Sequence, residues 1–90
     1  MSDSKLSPRA LRIRAATTAL FGESGGQTKM AETIGVSKQL LSFILAGDRA
    51  VTDDVDRKVA AALLREADRL RKTATKLDGI AGTILHKLEE

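Results

Sequence analysis

Ninety residues with 42% apolar and 30% charged side chains can build one small core and not two. One proline, no tryptophan or tyrosine, and abundant alanine and leucine favour helices over sheet. The net charge is +3, and the lack of cysteine excludes disulfides and thiolate metal sites; His86 alone beside carboxylates is a poor donor set, so no metal or other cofactor is expected.

Residues 1–6 read as a frayed tail. Ser7-Pro8 is a helix start, because serine caps free N–H groups and proline has no N–H to lose at the first helical position. Leu11, Ala15, Ala19 and Leu20 fall on one stripe of this first helix, away from Arg9, Arg12 and Arg14, and the helix is predicted to run to about Phe21. Gly22, Ser24, Gly25 and Gly26 form the loop after it. A second helix from about Gln27 keeps Met30, Ala31 and Ile34 inward and stops at Gly35, where the chain turns left-handed. Val36 tucks into the core, Ser37 caps a third helix to about Ala46, and Gly47 ends it. Residues 48–52 form a polar connection. Thr52 or Asp53 caps a fourth helix whose first turn holds Asp53, Asp54 and Asp56, where the dipole favours acids.

Beyond residue 53 the helical pattern continues. Leu63, Leu70, Leu77 and Ile84 recur every seven residues, with Ala67, Ala74 and Ala81 four positions later and Leu88 closing the series. A leucine row beside an alanine row makes a close-approach seam, which either folds back on the chain's own core or pairs with a second copy. Because the first four helices already supply a core, homodimerisation is the expectation. Glu66 and Thr73, three places after leucines, argue against a long parallel zipper. Gly79 and Gly82 leave two outcomes open: a break near residue 78, with a short last helix over about 80–88, or a helix that runs on through both.

Charge is unevenly spread. Residues 1–52 hold seven basic side chains (Lys5, Arg9, Arg12, Arg14, Lys29, Lys38, Arg49) against four acidic ones (Asp3, Glu23, Glu32, Asp48), a balance of +3. Residues 53–90 hold eight of each. A basic half beside a neutral one is the footprint of a polyanion partner, although the same charge also serves solubility.

The segment QTKMAETIGVSKQLLSFILAG, residues 27–47, carries the most information. Ala31 is small where the second and third helices must approach, Gly35 turns and Val36 anchors. Leu41 and Ile44 face inward at i, i+3 spacing, and Lys38, Gln39 and Ser42 point away. In this register the segment resembles the helix-turn-helix of Cro and phage-repressor-like (XRE-type) transcriptional regulators, and the likeness extends more loosely over about residues 8–65. The resemblance implies an all-α, lambda-repressor-like bundle of about five helices, with residues 1–65 as the DNA-binding domain and 66–90 as a C-terminal helical dimerisation extension.

It also implies roles. The third helix, residues 37–46, enters the major groove of double-stranded DNA with Lys38, Gln39 and Ser42 as base readers. Gln39 suits bidentate pairing with adenine, and Lys38 suits guanine or a phosphate. Gln27, Thr28, Lys29, Ser37 and Arg49 contact the backbone. Leu40 and Phe43 stand where the family often has polar or small residues; they either meet thymine methyls or pack against the first or fourth helix. Arg9, Arg12 and Arg14 either brace phosphates or form a solvated face. The dimer interface is Leu63, Ala67, Leu70, Ala74, Leu77, Ala81, Ile84 and Leu88, and each protomer of the dimer places its third helix in one of two successive major grooves of a palindromic operator. The function implied is a dimeric, bacterial or phage repressor, with activation from the same site also open, at a phage-, plasmid- or mobile-element-type promoter.

The rival expectation is a protein-interaction module, an antiactivator or antitoxin-like adaptor, that keeps the fold and binds a partner protein. An enzyme is not expected: there is no cysteine, no phosphate-loop or dinucleotide signature, and Gly25-Gly26 has no strand before it. Asp53, Asp54 and Asp56 are explained by capping, and His86 by exposure near the terminus. No small-molecule ligand is evident. The chain has no apolar run of membrane-spanning length, and MSDSKLSPRALRIR lacks a signal-peptide core, so a cytoplasmic location without membrane contact is expected.

Overall fold

A computed structural model describes residues 6–90, so residues 1–5 of the expected tail lie outside the described residues. Helix α1 spans Pro8–Phe21, α2 Gly26–Ile34, α3 Lys38–Ala46 and α4 Asp53–Leu88, with no strand among the described residues. The protein is all-helical.

Three of the four helices start at a side-chain cap, and α2 follows Gly25 without one. The hydroxyl oxygens of Ser7, Ser37 and Thr52 accept the N–H groups of Ala10, Leu40 and Val55 at 3.1, 3.0 and 3.2 Å. Gly35 ends α2 at φ 75°, ψ 32°, a left-handed conformation open to glycine at little cost. Its N–H and that of Val36 both donate to the Ala31 carbonyl, which turns the chain sharply into α3.

The core joins all four helices through Ile13, Met30, Leu41 and Ile44, each at most 2% exposed, and Val55, Val59 and Ala62. Val36 is half-buried against it. Helix α1 touches every other helix and α2 touches α3 and α4, but α3 and α4 do not meet. Thus α3 is covered only from the α1–α2 side.

The stripe expected for α1 is displaced. Ala10, Ile13, Ala16 and Thr17 are the buried residues, while Leu11 is 45% exposed and Ala15 and Ala19 face solvent; Leu20 alone of the expected set is half-buried against the core. Both stripes have helical periodicity and differ by about 100° of rotation per residue step. The face with Ile13 is the one turned toward α2, α3 and α4, all of which α1 touches. Thr17 is tolerated there because its hydroxyl donates to the Ile13 carbonyl at 2.8 Å.

The expected fifth helix is absent, since Gly79 and Gly82 lie inside a continuous α4 of 36 residues. A glycine within a helix costs about 1 kcal/mol relative to alanine, too little to stop one flanked by good helix formers. From Asp68 to the end every residue is exposed, so α4 leaves the bundle as a free rod. The molecule measures 63 × 30 × 20 Å with a radius of gyration of 18.3 Å, against about 12 Å for a compact chain of this length. No helix among the described residues is long and apolar enough to cross a membrane.

Candidate nucleic-acid interface

The chain KQLLSFILA folds as α3 with two unlike faces. Leu41, Ile44 and Leu45 are buried, at 0, 1 and 6% exposure, and fix the inner face. Lys38, Gln39, Ser42, Phe43 and Ala46 are exposed and recur at i, i+3 and i+4, so they form one outward stripe. Lys38, Gln39 and Ser42 are therefore brought together where the sequence reading places them.

Leu40 and Phe43 part company. Leu40 is half-buried and packs against the core, which removes it from the expected apolar base contacts. Its position beside Leu41 and Ile44 on the inner rim explains this. Phe43 is 38% exposed, on the outer stripe, because neither α1 nor α4 reaches that side of α3.

The expected backbone-contact residues are spread over three places. Gln27 and Lys29 are exposed in the first turn of α2, and Thr28 between them is half-buried. Ser37 is exposed, and although its oxygen holds the Leu40 N–H, the hydroxyl proton is still able to donate. The amides of Lys38 and Gln39 open the helix, where unpaired N–H groups and the dipole favour an anion. Arg49 is exposed beside Ser7, Ala10 and Gly47, near the start of α1 and beyond the far end of α3 from Lys38. Nine residues of helix separate those two cations by roughly 13 Å.

Two arginines of α1 have structural partners. Arg9 donates to Asp53 at 2.6 Å and to Asp56 at 2.7 Å, and these hydrogen bonds hold its pKa above the usual value. It clamps the start of α1 to that of α4 and is neutralised there. Arg14 donates to the Leu45 carbonyl at 3.2 Å and ties α1 to the last turn of α3. These contacts join residues 31 to 47 positions apart, and nothing local in the sequence signals them. Arg12 is exposed.

The result is a short helix pressed from one side onto α1 and α2, its start capped and its outer stripe polar except for Phe43 and Ala46. No protein-family model, curated protein or solved structure matches this chain.

Proposed function

We propose that the protein is a dimeric, sequence-specific DNA-binding transcriptional regulator that acts by occupying a palindromic operator. The observation that carries this reading is the outward stripe of α3, with Lys38, Gln39 and Ser42 exposed at its capped N-terminal half over a buried Leu41–Ile44–Leu45 face. A helix read from its N-terminal residues is the geometry by which a helix-turn-helix enters the major groove. Gln39 reads adenine, Lys38 reads guanine or a phosphate, and Ser42 adds a hydroxyl one turn on. Gln27, Lys29 and the start of α3 hold phosphates, and Phe43 meets a thymine methyl. Occupied DNA excludes polymerase, so repression is the default outcome. The exposed α4 seam supplies the second copy, since one small module reads few base pairs.

A gel shift with the DNA upstream of the protein's own gene tests the reading. A specific shift at moderate salt that is lost in Lys38→Ala and Gln39→Ala supports it. No specific shift, or one that both variants preserve, overturns it.

The exposure of Phe43 favours a second reading, an adaptor that binds a partner protein through α3. Under that reading Phe43→Ala abolishes partner capture, Lys38→Ala does not, and no DNA is shifted.

A further inference from the structure

The exposed rod of α4 fits a second copy of itself in one direction, and we infer that the two rods pair antiparallel, with Ala74 facing the partner's Leu77. This rests on the self-association in the reading above and concerns how the copies are arranged. The seam alternates large and small: Leu63 and Ala67, both half-buried and Leu63 packed against the chain's own core, then the exposed Leu70, Ala74, Leu77, Ala81, Ile84 and Leu88. In a parallel pair each residue meets its own copy, so alanine–alanine layers alternate with leucine–leucine layers. The first leave gaps and the second force the helices apart. In the antiparallel register Ala67 meets the partner's Ile84, Leu70 meets the partner's Ala81, and Ala74 meets the partner's Leu77. Every inner layer then has one large and one small side chain, which keeps the helices at one even, close separation.

The flanking charges choose the same direction. Arg71 and Asp78 are exposed and have no ion-pair partner among the described residues of their own chain, and the antiparallel register sets Arg71 against the partner's Asp78 twice, by two-fold symmetry. A parallel pair sends Arg71 to the partner's Glu66, which already accepts two hydrogen bonds from Arg69 at 2.8 and 2.7 Å, and leaves Asp78 facing Thr73. Leu64 is 68% exposed and Leu85 60% exposed. The antiparallel register covers Leu64 with the partner's Leu85 and sets Ile80 against the partner's Thr73; a parallel pair covers Leu85 with Ile80 and leaves Leu64 opposite Val59, which is buried in its own core, so the apolar flank is divided and the charges decide.

The pairing holds the two α1–α3 units at opposite ends of the rod, with their α4 segments about 50 Å apart along its axis. That exceeds the spacing of one DNA turn, about 34–36 Å.

The chain has no cysteine, so single cysteines at exposed, outward positions carry spin labels without interference. In the full-length protein, labels are placed at Lys72→Cys and separately at His86→Cys, and the distance between protomers is measured. Antiparallel pairing gives an axial separation of about 10 Å at position 72 and about 30 Å at position 86. Similar distances at both positions overturn the antiparallel arrangement and leave dimerisation standing. A sedimenting monomer overturns both. As a second measurement, Arg71→Asp weakens the dimer and adding Asp78→Arg restores it; failure of the double variant to recover, with Glu66 of a parallel partner facing the new acid, also overturns the inference.

Discussion

A Cβ atom built on Gly26 stands 3.2 Å from the Thr17 Cγ2 methyl, so α2 begins in contact with α1 across a gap that a side chain narrows too far. Thr17 is β-branched, buried, and held by its bond to the Ile13 carbonyl, so it yields little. Overpacking costs about 1–3 kcal/mol and the helix gain of alanine offsets part of it, so Gly26→Ala is expected to destabilise by about 1 kcal/mol. Thr17→Ser removes the opposing methyl, and the double variant is expected to recover most of the loss. Urea denaturation of the four proteins in a double-mutant cycle checks this, and strict additivity contradicts it.

Gly79 and Gly82 give the opposite sign. A Cβ at either meets nothing within 4 Å, and both lie inside α4. Alanine at each is expected to raise stability by about 0.5–1 kcal/mol, seen as a higher thermal midpoint and greater helicity by circular dichroism. Both positions lie off the alanine–leucine seam, so the oligomeric state is unchanged.

The two faces of α3 separate folding from binding. Leu41→Ala empties a site that is fully buried and is expected to cost about 2–5 kcal/mol. Phe43→Ala is expected to cost less than about 1 kcal/mol, since its ring is only partly covered and exposed substitutions act weakly. The same Phe43 variant is expected to lower DNA affinity. Parallel stability and gel-shift measurements check the split.

Salt dependence assigns Lys38. Binding through phosphates weakens as salt rises because counterions are released. If Lys38 sits on a phosphate, Lys38→Ala reduces the slope of log affinity against log salt by about 1 and weakens all sequences alike; if it reads guanine, the variant relaxes preference at one base pair by about 1–3 kcal/mol. Titrations over a salt series, with the operator and with single-base variants, distinguish the two.

Acid acts on α4 through Glu66. Its hydrogen bonds from Arg69 hold the carboxyl pKa below the usual value. A depressed folded pKa contributes stability above the unfolded pKa, and that contribution fades as pH falls through the folded value. Arg69 is exposed and Glu66 half-buried, so solvent still screens the pair and the effect is small. Carboxyl NMR is expected to show Glu66 titrating at lower pH in the wild type than in Arg69→Ala.

What the sequence determined by itself is what local chemistry controls. Ser7, Ser37 and Thr52 are caps wherever they precede a helical pattern, and Gly35 and Gly47 are stops because few other residues take their left-handed turns cheaply. Met30, Ala31, Ile34, Leu41 and Ile44 were legible as core because a single apolar stripe runs through each of those short helices. For α1 two stripes compete, and only packing against three other helices selects Ile13 over Leu11. Phe43 and Leu40 have nearly equal apolarity and neighbouring positions. Their separation follows from α3 being covered on one side alone, a fact of the tertiary arrangement. Arg9 and Arg14 look like free cations in the sequence, and it is contacts with Asp53, Asp56 and the Leu45 carbonyl that occupy them. Gly79 and Gly82 lower helix propensity locally, and the helix formers on both sides carry α4 through them. Periodicity and capping act over one turn of chain, so the sequence displays them; the choice between faces depends on what lies opposite in space, and only the folded arrangement decides it.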